Sequence, residues 1–331
     1  MAAGWLHFAA ISKRGQRGGM LEIFDTHAHY HAEQFDEDRD EILTSMHRGF
    51  ARPQKESGQD ASREEARTAQ DARENGSPAE EAYRIRTIVD IAAEKDSLDR
   101  VMELVRRYDF MYGAIGLHPD EIADLDDETE AYMETLLAHP KIVAVGEIGI
   151  DYYWNKEAGD VQIAGFQRQI GMAVRHGLPI IVHSREAAAD TMSVVQSNAE
   201  RIAEAVKKRR LEQQPAEGKQ EIFACPGIIH CYSYSAEHAR MYAGMGFMLG
   251  IGGVVTYKNA KKLREVVREI PLRNLVLETD CPYLAPTPFR GKRNDSRLLV
   301  YAAEEIASIK QISVEEVVKT TAQNAEKLFG I

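Results

Sequence analysis

Short apolar runs rich in β-branched residues recur along the chain. Each is followed by a longer stretch in which apolar positions return every three or four residues. The runs are Leu21–Asp25, Ile85–Ile91, Phe110–Leu117, Ile142–Glu147, Pro179–His183, Ile222–His230, Phe247–Ile251 and Leu275–Asp280. Near-continuous apolar character, rather than strict alternation, predicts strands covered on both faces, as in a parallel sheet. The stretches between them predict helices over Asp96–Tyr108, Asp160–His176, Glu186–Lys207, Ala236–Ala243 and Ala260–Glu269. Two more helices, Leu298–Ile309 and Val314–Phe329, close the chain. Eight strands alternating with helices predict an α/β fold, a (β/α)8 TIM barrel of about 250 residues plus insertions. A doubly wound sheet is the alternative, but no Gly-rich phosphate turn follows the first strand.

Two polar segments interrupt the alternation. Ala51 to Ala82 contains no Val, Ile, Leu, Met or aromatic residue, so it has no face to bury. Within it, Ser62-Arg63-Glu64-Glu65 has capping-box form and could start a solvated helix. Lys208 to Gln220 is highly polar, holds Pro215 and Gly218, and lengthens the predicted loop before the sixth strand. The expected organisation is a single barrel domain over 20–331, with polar insertions near 51–82 and 208–220. Residues 1–19 read as an N-terminal extension, either disordered or the product of an upstream start codon. Its apolar piece, Trp5 to Ile11, precedes Lys13, Arg14 and Arg17, the reverse of a signal peptide's order.

Composition narrows the functional classes. The 331 residues are 44% hydrophobic and 28% charged, ordinary for a packed globular protein. A net charge of -11 argues against broad binding to duplex phosphates, which needs a basic face, but leaves room for a local anion site. Cys225, Cys231 and Cys281 are odd in number and lack C-x-x-C spacing, so reduced thiols in a cytoplasmic protein are the expectation. No apolar run reaches the roughly 18 residues of a membrane span.

The chemistry gathers at strand ends. Phe24-Asp25-Thr26-His27-Ala28-His29 leaves the first strand, and in an extended chain the i and i+2 imidazoles point the same way. Alone, H-x-H is a modest signal. Glu147, His183, His230 and Asp280 each end an apolar strand as well, at the face where barrel enzymes carry their catalytic groups. A buried carboxylate or imidazole there is costly unless it is paired or coordinated. Six donors exceed what one catalytic ion takes and suffice for two divalent ions roughly 3.5–4 Å apart with one carboxylate bridging. Imidazole with carboxylate suits zinc, manganese or iron, and magnesium less well. Two such ions outweigh two carboxylates, so an anionic substrate would be attracted despite the acidic chain.

The blocks FDTHAH, VGEIGIDYYW, PIIVHSREA, HCYS, IGIGGVVTYKNAKKLREVV, LETDCPYLAP and PFRGKRN resemble the TatD family of metal-dependent deoxyribonucleases, from about Met20 to the C-terminus. The resemblance implies a barrel of the metallo-dependent hydrolase type and hydrolysis of DNA phosphodiesters by a metal-activated water. It also implies 3′→5′ exonuclease action on single strands or 3′ ends. It assigns one ion to His27, His29, Glu147 and Asp280, and a second to His183, His230 and the bridging Glu147. In that scheme Asp280 holds or deprotonates the water. The family usually shows HCFS in place of HCYS, and Glu-Pro in place of Asp295-Ser296. The Ala51–Ala82 insertion is not a family feature.

Further positions suit substrate binding. Arg290, Lys292 and Arg293 lie in a Gly-containing loop after the eighth strand, positioned to grip phosphates. Tyr152, Tyr153 and Trp154 follow Glu147 and either stack on bases or pack in the core. His118 ends the third strand and is expected to line the pocket without binding metal. His31, His47, His139, His176 and His238 are expected at the surface, Cys231 and Cys281 in packing, and Lys258, Lys261, Lys262 and Arg264 on a solvated helix face. The implied partner is DNA, with no membrane and no stable protein partner. Two other functions compete: hydrolysis of a small phosphoester, ester or amide by the same metal pair, and non-catalytic binding of metal or nucleic acid.

Overall fold

Near-continuous apolar character does build a parallel sheet. The strands are β1 (Leu21–Ala28), β2 (Tyr83–Ile91), β3 (Met111–Ile115), β4 (Ile142–Asp151), β5 (Ile180–Arg185), β6 (Gly227–Ile229), β7 (Met248–Ile251) and β8 (Leu275–Leu277). They lie side by side in sequence order, each parallel to the next. The ring closes where β8 runs out beside β1. There Ala28 bridges Cys281, and the amides of His29 and Asp280 donate to the carbonyls of Cys281 and His27, both at 2.9 Å. The computed structural model describes residues 19–54, 83–213 and 223–331. The expected extension before Gly19 and most of the 51–82 insertion lie outside the described residues, as does the end of the 208–220 insertion.

Among the described residues the helices longer than one turn are α1 (Arg39–Arg48), α2 (Ser97–Arg107), α3 (Asp127–Leu137), α4 (Gly159–His176), α5 (Ala188–Gln213), α6 (Ala236–Gly244), α7 (Lys261–Glu269), α8 (Leu299–Lys310) and α9 (Val314–Phe329). Several start where the sequence supplies a cap: Asp126, Ser235 and Ser313 each accept a hydrogen bond from a backbone N–H three residues on. The large buried cluster joins the outer faces of the strands to these helices. A second cluster takes Phe24, Val89, Ala114, Ala144, Ile181, Ile228, Met248 and Val276, at least one residue from every strand. A set to which all strands of a closed sheet contribute lies inside it. Ala322, Ala325, Leu328 and Phe329 of α9 join this set, and Phe329 stacks on Phe24 at 5.9 Å between centroids. One end of the barrel is thereby plugged with apolar side chains. Chemistry is left to the other.

The structure departs from the sequence expectation where elements end. Helices α1 and α3 were not foreseen, because their apolar sets (Ile42, Leu43, Met46; Met133, Leu136, Leu137) are small and set among acidic residues. Lys208 to Gln213 continue α5 rather than opening a loop. Strands β4 and β5 run past their candidate ligands to Asp151 and Arg185, whereas β6 and β8 stop before theirs. Cys231 and Asp280 adopt positive φ angles of 42° and 59°, so the chain leaves the pleat as the donors turn toward one another.

Candidate metal centre

All six strand-end residues meet at the open end. The Nε2 atoms of His27 and His29 face each other at 3.2 Å. Around them, Glu147 Oε2 lies 3.3 Å from His27 Nε2, and Asp280 Oδ1 lies 3.3 Å from His29 Nε2 and 3.8 Å from His27 Nε2. His230 Nε2 stands 3.7 Å from Asp280 Oδ1 and 3.8 Å from Glu147 Oε1. His183 is shared: its Nδ1 is 2.7 Å from Glu147 Oε1, and its Nε2 is 3.1 Å from Asp151 Oδ2. Glu147 therefore touches three imidazoles from three strands.

The surroundings hold these donors in place. His29 donates from Nδ1 to the Ile91 carbonyl at 2.8 Å, which turns its Nε2 lone pair toward the centre. His230 donates from Nδ1 to Glu278 at 3.1 Å, and the same carboxylate accepts the Cys231 amide at 2.6 Å. Glu278 fits because residue 250 is glycine: a Cβ there would sit 2.0 Å from Glu278 Oε2. Asp25 is fully buried and accepts from Thr279, Ser296 and the His27 amide, tying β1 to the exit of β8.

Charge and burial act against each other here. Burial disfavours the charge on Glu147, but the His230 and His27 charges, with hydrogen bonds from His183 and His27, hold its carboxyl well below the usual range. Asp280 is likewise lowered against its burial by His29, His230 and His27. Burial opposes protonation of His183 and His230 too. Asp151 and Glu147 nevertheless raise His183 to about 9, and Glu278 with Glu147 raises His230 to about 10. His118, buried and close to His183, falls to about 4.

This donor set fits a divalent cation. Two imidazole nitrogens aimed at one another share at most one proton, so a cation satisfies both lone pairs better than hydrogen bonding does. Among the described residues, His27 Nδ1 is also buried without a partner. Donor atoms within 4.8 Å of one another come from His27, His29 and Glu147, from His27, His230 and Asp280, and from His118, Asp151 and His183. Above them opens a cleft of about 990 Å³, lined among others by Arg100, His118, Trp154, Arg185, Tyr283 and each of the six side chains except the buried His27.

Comparison with known proteins then settles the family. The family model described as TatD related DNase matches residues 24–330. The metal-dependent hydrolase YabD of Bacillus subtilis is 39% identical over 93% of this chain and 99% of its own. The chain belongs to the TatD family. It is a metal-dependent hydrolase of that family. The metal-dependent hydrolase TatD of Mycobacterium tuberculosis is 33% identical over 75% of the chain and 87% of its own length. The crystal structure of YjjV, a TatD homologue from Escherichia coli K12, superposes with a TM-score of 0.70 at 24% identity, covering 93% of this chain and 98% of that one, and so shares the fold.

Other expected site residues are distributed unevenly in this TatD-family hydrolase. His118 lines the cleft. Tyr152 turns away and donates its hydroxyl to Asp190 at 2.6 Å, while Tyr153 lies beneath the Arg185 guanidinium. Arg290, Lys292 and Arg293 do not line the cleft. Arg290 covers the Tyr257 ring at 4.5 Å, and Arg293 pairs with Asp38 at 2.6 Å. His31 is not a surface residue: its Nδ1 meets Asp90 Oδ2 at 2.9 Å, and it lines the cleft. His47, His139, His176 and His238 are all partly buried. Cys281 packs in the core as expected, but Cys231 lines the cleft, because its positive φ breaks the strand alternation on which that expectation rested. Sequence reasoning missed Asp151, Glu278 and Arg185. Asp151 and Arg185 follow Glu147 and His183 along the same strands by four and two residues, the spacing that returns a side chain to the same face, whereas Glu278 lies past the end of β8.

Proposed function

We propose that this hydrolase cleaves DNA phosphodiester bonds, shortening single strands from the 3′ end, with two divalent ions bridged by Glu147. The observation that carries the reading is the convergence of four imidazoles and two carboxylates on the floor of an open cleft rimmed by Arg100 and Arg185. One ion would take His27, His29, Glu147 and Asp280, and the other His183, His230 and Glu147. Zinc, manganese or iron suits the nitrogen-rich shell, and magnesium suits it less. When bound, such ions lower the pKa of a water toward about 7 and offset charge on phosphoryl oxygens.

The chain's own groups do the rest. Asp280 is the most open of the two carboxylates, with 19% of its side chain exposed against 6% for Glu147. It holds the attacking water and accepts its proton on a carboxylate oxygen. His118 Nδ1 accepts the Asp120 amide at 3.2 Å, so its proton sits on Nε2. With its proton affinity depressed by burial, it stays neutral at pH 7 and donates a hydrogen bond to a phosphoryl oxygen or to the leaving group. Lys292 and Arg290 contribute long-range attraction for the strand from outside the cleft.

The test is to incubate end-labelled single- and double-stranded DNA with the protein and a panel of divalent metals. A ladder shortening from the 3′ end, faster on single strands, is expected. No cleavage with any metal overturns the reading in favour of a small phosphoester, ester or amide substrate.

A further inference from the structure

The aromatic turn after β4 is exposed where exposure is unfavourable. Trp154 is 67% and Tyr153 49% exposed, and Trp154 lines the cleft that holds the metal-ligating side chains. A large indole left in water beside a reactive centre is a surface waiting for an apolar face. Arg185 completes the arrangement. It follows His183 by two residues on β5, so both side chains leave the same face of the strand. Its guanidinium carbon lies 3.7 Å from the Tyr153 ring centroid and 5.6 Å from that of Trp154. Among the described residues Arg185 makes no ion pair, whereas Arg293 in the basic loop does. A guanidinium seated over an aromatic ring is held there by cation–π attraction and keeps N–H donors for a phosphate.

The turn is also rigidly attached to the centre. Asp151 Oδ1 accepts the amides of Tyr153 and Trp154 at 2.8 and 3.4 Å, while its Oδ2 faces His183 Nε2 at 3.1 Å. The buried Gln162 side chain clamps the Asp151 backbone from both sides, at 2.8 and 2.9 Å. One carboxylate thus fixes the distance from the exposed indole to the metal ligands.

We propose that Trp154, Tyr153 and Arg185 form a nucleobase seat: an unstacked base of single-stranded DNA lies against the indole while Arg185 holds the adjoining phosphate. This rests on the nuclease reading and deepens it by naming what selects single strands. A base in a duplex offers no free face until it is unpaired and unstacked, at a cost in free energy. A base at a single-stranded end offers one freely.

The chain has two tryptophans, Trp5 and Trp154, so Trp5→Phe leaves Trp154 as the only indole reporter. In chelator, octathymidylate should quench its emission, and an abasic octamer of equal charge should bind without quenching. In steady-state hydrolysis with metal, Trp154→Leu should raise KM for octathymidylate about tenfold with kcat within about twofold, and Trp154→Phe should restore most of the loss. Removing the bases and removing the indole should not be additive, since each deletes the same contact. If the wild type shortens octathymidylate but emission does not change and Trp154→Leu keeps its KM, the seat is overturned and the nuclease reading stands. If the protein neither binds nor hydrolyses DNA, both are overturned.

Discussion

Strand β4 and the exit of β8 make the same contribution to the centre and then diverge. Each supplies one carboxylate, Glu147 or Asp280, and each is followed by a segment rich in residues that suit DNA. After β4, the chain stays at the cleft because Asp151 caps the next turn with the oxygen that His183 does not use. After β8, Asn294 anchors the loop through the carbonyls of Thr279 and Tyr283, and two of the three cations just before it are already engaged. Arg293 serves Asp38 and Arg290 covers Tyr257. The difference teaches that a residue's chemistry reaches a substrate only if the backbone hydrogen bonds around it bring it there. Sequence position relative to a ligand does not ensure it.

The largest effect expected from this comparison lies in the carboxylates themselves. Glu147 contacts imidazoles of β1, β5 and β6, whereas Asp280 contacts those of β1 and β6 and is more open to solvent. Glu147→Gln should therefore lower kcat by about a thousandfold or more, with unchanged far-ultraviolet circular dichroism, because it loosens both halves of the centre at once. A smaller loss in Glu147→Gln than in Asp280→Asn would move the hub of the site to β8.

A second effect concerns protons. In the metal-free protein His183 holds its proton up to about 9 and His230 up to about 10, each against the pull of burial. Protons and cations compete for these nitrogens, so affinity must rise with pH across this range, by about tenfold per pH unit for each proton displaced. Calorimetric titration with zinc at pH 7 and pH 9 in buffers of different ionisation heat measures both the affinity and the protons released. Flat affinity between these pH values would show that both imidazoles are already neutral. Glu278→Gln should flatten the slope, since Glu278 is the foremost charge raising His230.

Much of this was legible in the sequence, for a physical reason. Apolar runs such as Ile180–Ile181–Val182 must be strands buried on both faces, and an imidazole or carboxylate ending each run has nowhere to point but the open end of a barrel. Position and type together singled out the six side chains that meet at the open end. The groups that tune them were not legible. Glu278 reads as one more acidic residue until Gly250, on the neighbouring strand, is seen to make room for it. Asp151 reads as the start of an aromatic loop until its two oxygens are seen to serve different partners. His31, His47, His139, His176 and His238 read as surface residues because burial of a loop or helix side chain depends on what packs over it, as Asp90 does for His31. Contacts across long sequence separations carry no local signature.

The smallest effect is the one that sequence reasoning would have made large. Three cations in four residues at the barrel mouth suggest a phosphate grip, and deleting two of them should then cripple DNA binding. The structure argues otherwise. The Arg293–Asp38 pair is about one-third exposed on each side, so it contributes at most about 1 kcal/mol to stability. Neither Arg290 nor Arg293 lines the cleft. Replacing both by alanine should lower the melting temperature by no more than about 2 °C and weaken single-stranded DNA binding by less than about threefold. The salt dependence of log K should change by less than about one unit of slope, as expected for charges acting at a distance rather than through direct phosphate contacts. Arg185→Ala, by contrast, should weaken binding by about tenfold and lower that slope by about one. If the double variant at β8 loses more affinity than Arg185→Ala, the strand runs over the β8 loop and the contrast between the two exits is reversed.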